Sequence, residues 1–235
     1  MRAPASCPNP LLRSWPLPGG VPAPNLWYRF MRRVFQVTMI SLWKIRVFNR
    51  HYEPADGSAL YICNHQSFLD PMLMSMGLAR PMNYMARHTL FRFPGLKQFM
   101  ESLNTFAVRR GTADTAAVKE AMRRLRRGGQ VVVFPEGTRT RDGRVGAFLP
   151  GVALLAQRAA DWTVPVLIDG AFEAWPRTQK LPRPGSIVVQ YAPPIPRDDA
   201  RKLSAGELLS RVRSAILEMQ ADVRRRVGRP AIHYD

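Results

Sequence analysis

The chain has 235 residues and a formal net charge of +18, from 35 Lys and Arg against 17 Asp and Glu. This length favours one domain with a proper core, and the charge predicts anionic partners, such as a phospholipid surface, a phosphorylated substrate, coenzyme A, an acidic carrier protein or nucleic acid. The two cysteines, Cys7 and Cys63, give no disulfide framework, and the sequence has neither a metal-binding Cys/His cluster nor a nucleic-acid-binding motif. A reducing, cytosolic setting is therefore the simpler inference.

Residues 1–25 are rich in proline and lack the continuous apolar core of a signal peptide. The prolines of this segment are Pro4, Pro8, Pro10, Pro16, Pro18, Pro22 and Pro24. A segment of this composition buries too little apolar surface to fold, so we predict a disordered tail.

Residues 26–48 combine apolar and basic side chains in a pattern typical of a membrane-interface helix. At about 100° per residue, the polar side chains share one arc of a helical wheel, namely Arg29, Arg32, Arg33, Gln36 and Lys44. The longest uncharged run, between Arg33 and Lys44, is too short for the roughly 20 apolar residues that cross a bilayer. We therefore predict an amphipathic helix on the membrane surface; the alternative is a helix that buries its apolar face on the protein's own core.

A histidine and an aspartate follow the apolar run 59–63, which predicts a buried strand. Asp70 and Pro71 indicate a helix start, with Asp70 as N-cap, so His65 falls in a strand-to-helix loop. A carboxylate beside an imidazole fixes its tautomer and supports its charged form, which a general base for an alcohol needs. The alternative is that Asp70 only caps the helix and His65 is an ordinary surface histidine.

A second motif, Phe134-Pro135-Glu136-Gly137-Thr138-Arg139, follows the apolar residues 131–133, which predict another buried strand. Pro135 ends this strand, so Glu136 and Arg139 are displayed on a loop at its carboxyl end, where open α/β sheets bind ligands. The planar fork of Arg139 suits a phosphate or a carboxylate. The alternative is a structural pair between Glu136 and Arg139 on a turn.

The rest of the chain alternates between helices and strands. We predict helices over 71–78, 114–127, 152–160 and 207–226, and strands over 83–86, 105–108, 164–168 and 187–191. This order predicts an α/β fold with a mixed central sheet flanked by helices over residues 49–229, followed by a short tail at 230–235.

Four blocks in this order resemble the glycerolipid acyltransferases of the 1-acylglycerol-3-phosphate acyltransferase type. Residues 64–70 match the family's His-x-x-x-x-Asp block, and residues 134–139 match its Phe-Pro-Glu-Gly-Thr-Arg block. Residues 106–111 resemble the block that ends in a phosphate-binding arginine, here aligned at Arg110 with Arg109 as a close rival. Residues 164–166 resemble the last, apolar block.

The resemblance implies transfer of a fatty acyl group from acyl-CoA or acyl-carrier protein to lysophosphatidate, at the cytoplasmic face of a membrane by a peripheral enzyme. It implies that His65 takes the proton of the acceptor hydroxyl and that Asp70 orients the His65 ring. It implies no metal, no bound cofactor and no nucleic-acid partner. It places the acceptor phosphate on Arg110 and Arg139, and Glu136 near the glycerol hydroxyl or Arg139. The substrate-binding set is therefore Arg110, Glu136, Gly137, Thr138 and Arg139. Backbone N–H groups near Gly137 or at the start of the Asp70 helix are candidates for the oxyanion hole.

Two positions depart from the family's pattern. Arg109 stands where an acidic residue is usual, and Leu149 stands where a lysine is common. The phosphate pocket thus has one cation fewer unless Arg109 supplies it. The alternatives are an acyltransferase for lysophosphatidylglycerol or a lyso-aminolipid, and a non-catalytic lipid-binding relative. The presence of the His65–Asp70 dyad together with Glu136 and Arg139 disfavours the non-catalytic relative.

Overall fold

The structure, a computed structural model, describes residues 25–109 and 114–234. The predicted proline-rich tail, except for Asn25, and the predicted phosphate ligand Arg110 lie outside these residues. The helices are α1 (Leu26–Leu42), α2 (Asp70–Met74), α3 (Pro94–Ser102), α4 (Thr115–Arg126), α5 (Gly151–Arg158), α6 (Ala171–Ala174), α7 (Arg197–Lys202) and α8 (Ala205–Arg226). The strands are β1 (Trp43–Phe48), β2 (Ala59–Cys63), β3 (Met82–Arg87), β4 (Thr105–Val108), β5 (Gln130–Val133), β6 (Trp162–Asp169), β7 (Gly185–Tyr191) and β8 (Ile195–Pro196).

The strands form one mixed sheet in the order β1-β7-β6-β2-β5-β3-β4, with β8 on β6. The pairs of β6 with β7 and β8 are antiparallel and the other pairs are parallel, which confirms the predicted α/β fold with a mixed sheet. Parallel strands are covered on both faces, and β2 is fully buried at the centre of the sheet. Leu60 and Ile62 face the layer of α4, α5 and α8, and Tyr61 faces the opposite layer of α1 and α2.

The predicted helix over 26–48 is wrong in its last quarter. It ends at Leu42, and residues 43–48 form the edge strand β1, which pairs in parallel with β7. Trp43, Ile45 and Val47 alternate with Lys44 and Arg46, a period of two that fits a strand better than a helix. The indole of Trp43 is buried and donates to the carbonyl of Arg183 at 2.7 Å, which anchors this edge.

Helix α1 also faces in an unexpected direction. Arg32 donates to the carbonyl of Ala79 at 2.9 Å, and Gln36 donates to that of Met76 at 3.3 Å, so part of the predicted polar arc points into the protein. The carbonyl groups at the end of a helix and just after it have no hydrogen-bond donor within the helix. Arg32 and Gln36 supply donors to two such carbonyls that follow the end of α2. The outward face carries exposed apolar side chains, with Arg29 and Arg33 of the predicted arc exposed beside them. The apolar side chains are Leu26, Trp27, Phe30, Val34 and Val37. In the described part of the chain no helix has both the length and the apolar character to cross a bilayer.

Candidate active site

The predicted site residues that the structure describes, which exclude Arg110, lie at the carboxyl edge of the sheet. His65 follows β2, and the segment from Phe134 to Arg139 follows the neighbouring strand β5, so the parallel pairing brings the two blocks side by side. The Thr140 N–H donates to the His65 carbonyl at 2.8 Å, which joins the two loops directly.

The predicted pair of His65 and Asp70 is present and buried. Nδ1 of His65 lies 2.7 Å from Oδ2 of Asp70, and their side chains are 5% and 0% exposed. The same oxygen accepts the N–H groups of Gln66 at 2.6 Å and Ser67 at 2.7 Å. The predicted N-cap role of Asp70 is wrong, because Leu69 holds the N-cap position and the carboxylate turns back to these three donors. Because Nδ1 is engaged by Asp70, Nε2 is the ring nitrogen left for a substrate.

The imidazole plane is set by the second motif. The ring of Phe134 stacks on that of His65, with centroids 4.2 Å apart and planes 20° from parallel. His65 therefore has its tautomer fixed by one loop and its ring orientation fixed by the other.

Three further residues of the first motif, which the sequence reasoning left without a role, hold the His65 loop in place. The amide of Asn64 pairs with both backbone groups of Ile168, at 2.9 and 2.8 Å, and so extends the pairing of β2 with β6 beyond Cys63. Gln66 Oε1 accepts the N–H of Phe172 at 3.2 Å, and Ser67 Oγ donates to the carbonyl of Trp175 at 2.8 Å. These partners lie about a hundred residues later in the chain, so no local pattern could have indicated them.

Glu136 connects the two loops through its carboxylate. Its Oε1 accepts the His65 N–H at 2.8 Å, and its Oε2 accepts the Gly146 N–H at 3.2 Å. Burial raises the pKa of Glu136 to about 7, although these two N–H donors act in the opposite direction. These contacts favour a positioning role for Glu136 behind the imidazole.

The segment that contains Gly146 is itself held by the C-terminal part of the chain. Arg213 donates to the carbonyls of Val145 at 3.0 Å and Gly146 at 3.2 Å. The Val145 N–H donates to the hydroxyl of Tyr234 at 3.0 Å, so the predicted tail folds back onto the site. A chain of contacts thus runs from α8 through Gly146 and Glu136 to His65.

Gly137 and Thr138 form the turn between Glu136 and Arg139. Gly137 has a φ of +68°, a backbone conformation that favours glycine, while an added Cβ would crowd only a methyl carbon of the exposed Leu149, 3.0 Å away. Its N–H already donates to the Phe134 carbonyl at 3.0 Å, which leaves this donor engaged and not available for an oxyanion. The Thr138 side chain is exposed at the turn.

An apolar cavity of about 450 Å³ begins at the dyad. His65, Phe68 and Arg139 line it, and the guanidinium carbon of Arg139 lies 3.4 Å from the centre of the Phe68 ring. The remaining wall comes from α1, α2, β3 and α3, with Phe35, Met72, Met76, Met85 and Met100 among its side chains. A cavity of this volume and composition suits an alkyl chain whose polar end lies at His65.

Arg87, the last residue of β3, lines the same cavity and was missed by the sequence reasoning. A usable signal was present, because a basic residue directly follows the predicted strand 83–86 and so lies at the ligand-binding edge. Arg109 lies at the end of β4, three strands away from β2 and hence about 14 Å across the sheet. The backbone N–H of Arg109 donates to the Asp114 carboxylate at 2.6 Å. Arg87, at the end of β3, is one strand closer to His65 than Arg109 is.

The described residues contain no group of three or more His, Cys, Asp and Glu side chains arranged to hold a metal ion. The charged groups near the site are a buried acid–imidazole pair, the partly buried Glu136 and three arginines of the cavity wall, Arg32, Arg87 and Arg139.

Comparisons with known proteins agree with this architecture. The profile of the Acyltransferase family matches residues 44–169. A 1-acyl-sn-glycerol-3-phosphate acyltransferase of Cocos nucifera is 30% identical over 144 residues, which cover 60% of this chain and 47% of that protein. The enzyme of the same name from Bacillus subtilis is 24% identical over 190 residues, which cover 80% of this chain and 92% of that protein. The chain thus spans about half the length of the Cocos relative and nearly all of the bacterial one.

A solved structure has the same fold. The crystal structure of the 1-acyl-sn-glycerophosphate acyltransferase PlsC from Thermotoga maritima superposes with a TM-score of 0.71 at 24% identity, over 82% of this chain and 78% of that one. The family profile spans β1 to β6, including both predicted motifs and the dyad. Since the profile covers more than half of the sequence, the chain belongs to the Acyltransferase family.

Proposed function

We propose that this protein transfers a fatty acyl group from acyl-CoA or acyl-carrier protein to the free hydroxyl of lysophosphatidate, which gives phosphatidate. The observation that carries the proposal is the buried His65–Asp70 pair at the end of an apolar cavity whose wall includes three arginines, of which Arg87 and Arg139 lie at the carboxyl edge of the sheet. Relatives named 1-acyl-sn-glycerol-3-phosphate acyltransferase support the same acceptor.

In the proposed reaction, Nε2 of His65 takes the proton of the acceptor hydroxyl as its oxygen attacks the thioester carbonyl. The new C–O bond forms, the C–S bond breaks, and the imidazolium returns its proton to the leaving thiolate. Asp70 holds the tautomer and offsets the positive charge that forms on the ring. General-base assistance of this kind contributes about 10²- to 10⁴-fold to the rate.

Direct transfer is favoured over an acyl-enzyme because the nearby nucleophiles are engaged or buried. The Ser67 hydroxyl donates to the Trp175 carbonyl and accepts the Leu69 N–H at 3.3 Å. Burial holds the pKa of the Cys63 thiol well above its usual range, and the side chain is fully buried. His65 therefore acts on the acceptor hydroxyl itself.

The acceptor phosphate is assigned to Arg139 and Arg87, which line the cavity near the dyad. Guanidinium groups bind phosphate through paired N–H donors. Leu149 stands where the family often has a lysine, so another cation must contact the phosphate. Arg87 suits this role better than Arg109, because β3, which ends at Arg87, is nearer to β2 and His65 than β4 is.

The decisive test is a substrate panel. Purified protein receives labelled acyl-CoA or acyl-carrier protein with lysophosphatidate, lysophosphatidylglycerol or a lyso-aminolipid, and folded His65→Ala protein serves as the control. We expect the highest kcat/KM with lysophosphatidate and no enzymatic transfer by the variant. A higher kcat/KM with another lysolipid would change the acceptor, and the absence of transfer with every pair would favour a non-catalytic lipid-binding protein.

We also propose that α1 docks the enzyme on an anionic membrane surface. Its outward face exposes Leu26, Phe30 and Val34, and Arg29 and Arg33 stand exposed beside them. Aromatic and aliphatic side chains enter the interface, while each nearby basic residue adds about 1 kcal/mol on an anionic surface. Vesicle sedimentation at low and high salt measures the apolar and the electrostatic contributions to binding. Equal pelleting with neutral and anionic vesicles would contradict the electrostatic contribution. Unchanged vesicle binding by Phe30→Ser would contradict the insertion of α1.

A further inference from the structure

A second apolar surface lies on α3 and on the short 3₁₀ turn before it, His88–Arg92. Helix α3 has no buried residue, and Phe93 is 66% exposed directly before Pro94, which begins the helix. Leu90 and Leu96 are exposed on either side of Phe93 in the sequence. We call Leu90, Phe93 and Leu96 the α3 surface.

The α3 surface lies across the apolar cavity from α1. Leu90 and Met100 line the cavity from the α3 side, and Tyr28 and Phe35 line it from the α1 side. The indole N–H of Trp27 donates to the Ser102 hydroxyl at 2.9 Å, which joins the start of α1 to the end of α3. Exposed apolar side chains therefore flank the cavity on both sides.

The charges beside the α3 surface indicate what covers it. Arg92 precedes Phe93, and Lys97 follows Leu96; both are exposed. Lys97 reaches Glu101 only at 3.9 Å, with both side chains half exposed, so this contact leaves most of its charge accessible to an anion. Aromatic and aliphatic side chains with adjacent cations are the composition that anionic lipid interfaces attract.

We propose that the α3 surface is a second membrane-docking element, which together with α1 seats the mouth of the cavity on an anionic bilayer. The occupant is the lipid surface, because the α3 surface continues the apolar face of α1 around one cavity and carries cations at its edge. The inference rests on the proposed function only in that the cavity receives lipid chains from this bilayer. Two separated contacts also fix the rotation of the enzyme about α1, which a single helix leaves undefined.

Depth measurements test the proposal without relying on catalysis. In a Cys7→Ser background, where Cys63 is fully buried, an environment-sensitive fluorophore is attached to Phe93→Cys, Phe30→Cys or Ala205→Cys. Ala205 serves as the control, because it is exposed at the start of α8, after α7 and β8, and β8 pairs with the first two residues of β6, at the end of that strand away from the carboxyl edge that holds His65. Lipids brominated on their chains, in vesicles with anionic headgroups, should quench the fluorophore at positions 93 and 30 and leave position 205 unquenched. Quenching at 30 alone, or at neither position, would overturn the proposal.

A binding measurement separates this inference from the proposed function. Phe93→Ser should partition about tenfold more weakly into anionic vesicles, since it loses most of one buried aromatic side chain. Its turnover on monomeric short-chain substrates should match that of the wild type. Inactive His65→Ala should bind vesicles as the wild type does, so failure of catalysis and failure of docking are distinguished. Wild-type partitioning by Phe93→Ser would contradict the second contact.

Discussion

The guanidinium of Arg139 lies directly over the ring of Phe68, with 3.4 Å between its central carbon and the ring centroid. Phe68 in turn contacts Trp175, with ring centroids 5.3 Å apart. Residues of the two sequence motifs thus meet face to face at the cavity, and an aromatic surface determines where the arginine presents its N–H donors.

Replacing Phe68 should weaken acceptor binding through Arg139. We expect Phe68→Leu to raise the acceptor KM about 2- to 30-fold, the range of a cation–π contact of 0.5 to 2 kcal/mol, with a smaller effect on kcat. Phe68→Tyr keeps the ring and should remain near wild type. Steady-state kinetics with each substrate varied separately provides the measurement; an acceptor KM that stays at the wild-type value in Phe68→Leu would contradict the role of the ring.

Removing the dyad should stop transfer while the fold persists. His65→Ala should lose the 10²- to 10⁴-fold contribution of the general base or more. Asp70→Asn keeps an oxygen that accepts the Gln66 and Ser67 N–H groups but no longer offsets the charge on the ring, so most activity should be lost. Turnover and the thermal midpoint are measured together, and full turnover by folded His65→Ala would refute the mechanism.

The two candidate cations for the acceptor headgroup should differ in effect. Arg87→Ala should raise the KM for lysophosphatidate and abolish its preference over lysophosphatidylglycerol, because Arg87 lines the cavity. Arg109→Ala should change this preference less, since β4 lies one strand further from His65. The ratio of kcat/KM for the two lipids in each variant decides between them, and a larger loss in Arg109→Ala would reverse the assignment.

The partly buried carboxyl of Glu136 should make stability depend on pH. Because burial raises its pKa from 4.5 to about 7, the folded chain holds a proton between these values that the unfolded chain has released. The free energy of unfolding should therefore fall as pH rises through this window, by up to about 3 kcal/mol from this one group. Glu136→Gln does not titrate, so the thermal midpoint of wild type relative to this variant should decrease from pH 5 to 8; a constant difference would contradict the raised pKa.

Elements with strong local patterns were predictable. The strand pattern, Pro135 and the following charged residues placed the Glu136–Arg139 loop correctly, because a buried strand and its end are encoded locally. The edge strand β1 was not predicted, although Trp43, Ile45 and Val47 alternate with basic residues; its partner β7, about 140 residues later, cannot be read from the local pattern. Helix α3 was also missed, although Leu96, Phe99 and Met100 recur at the helical spacing i, i+3 and i+4, so the signal was present in the sequence.

Within the site, the sequence indicated which residues take part but not every contact that each of them makes. The sequence indicated the pairing of His65 with Asp70, which the structure contains, but Asp70 was also predicted as the helix N-cap, and Asn64 was left without a role. The Asp70 carboxylate accepts the N–H groups of Gln66 and Ser67 in its own loop, whereas Asn64 pairs with Ile168, which only the tertiary fold brings near. The motifs therefore indicated which residues belong to the site, but they did not indicate which partner each side chain contacts.

Helix α1 is at once a wall of the cavity and the carrier of the exposed apolar face, which constrains how the enzyme can be handled in the laboratory. Deleting α1 to gain solubility would open the acyl cavity along one side, so a shortened protein should lose chain-length selection along with its surface apolarity. Detergents present a related difficulty, because an alkyl tail that covers the outer face of α1 is also of the kind that fits the cavity behind it. Long-chain detergents are therefore expected to compete with the acyl substrate, and short-chain or bicelle systems should give the higher apparent activity.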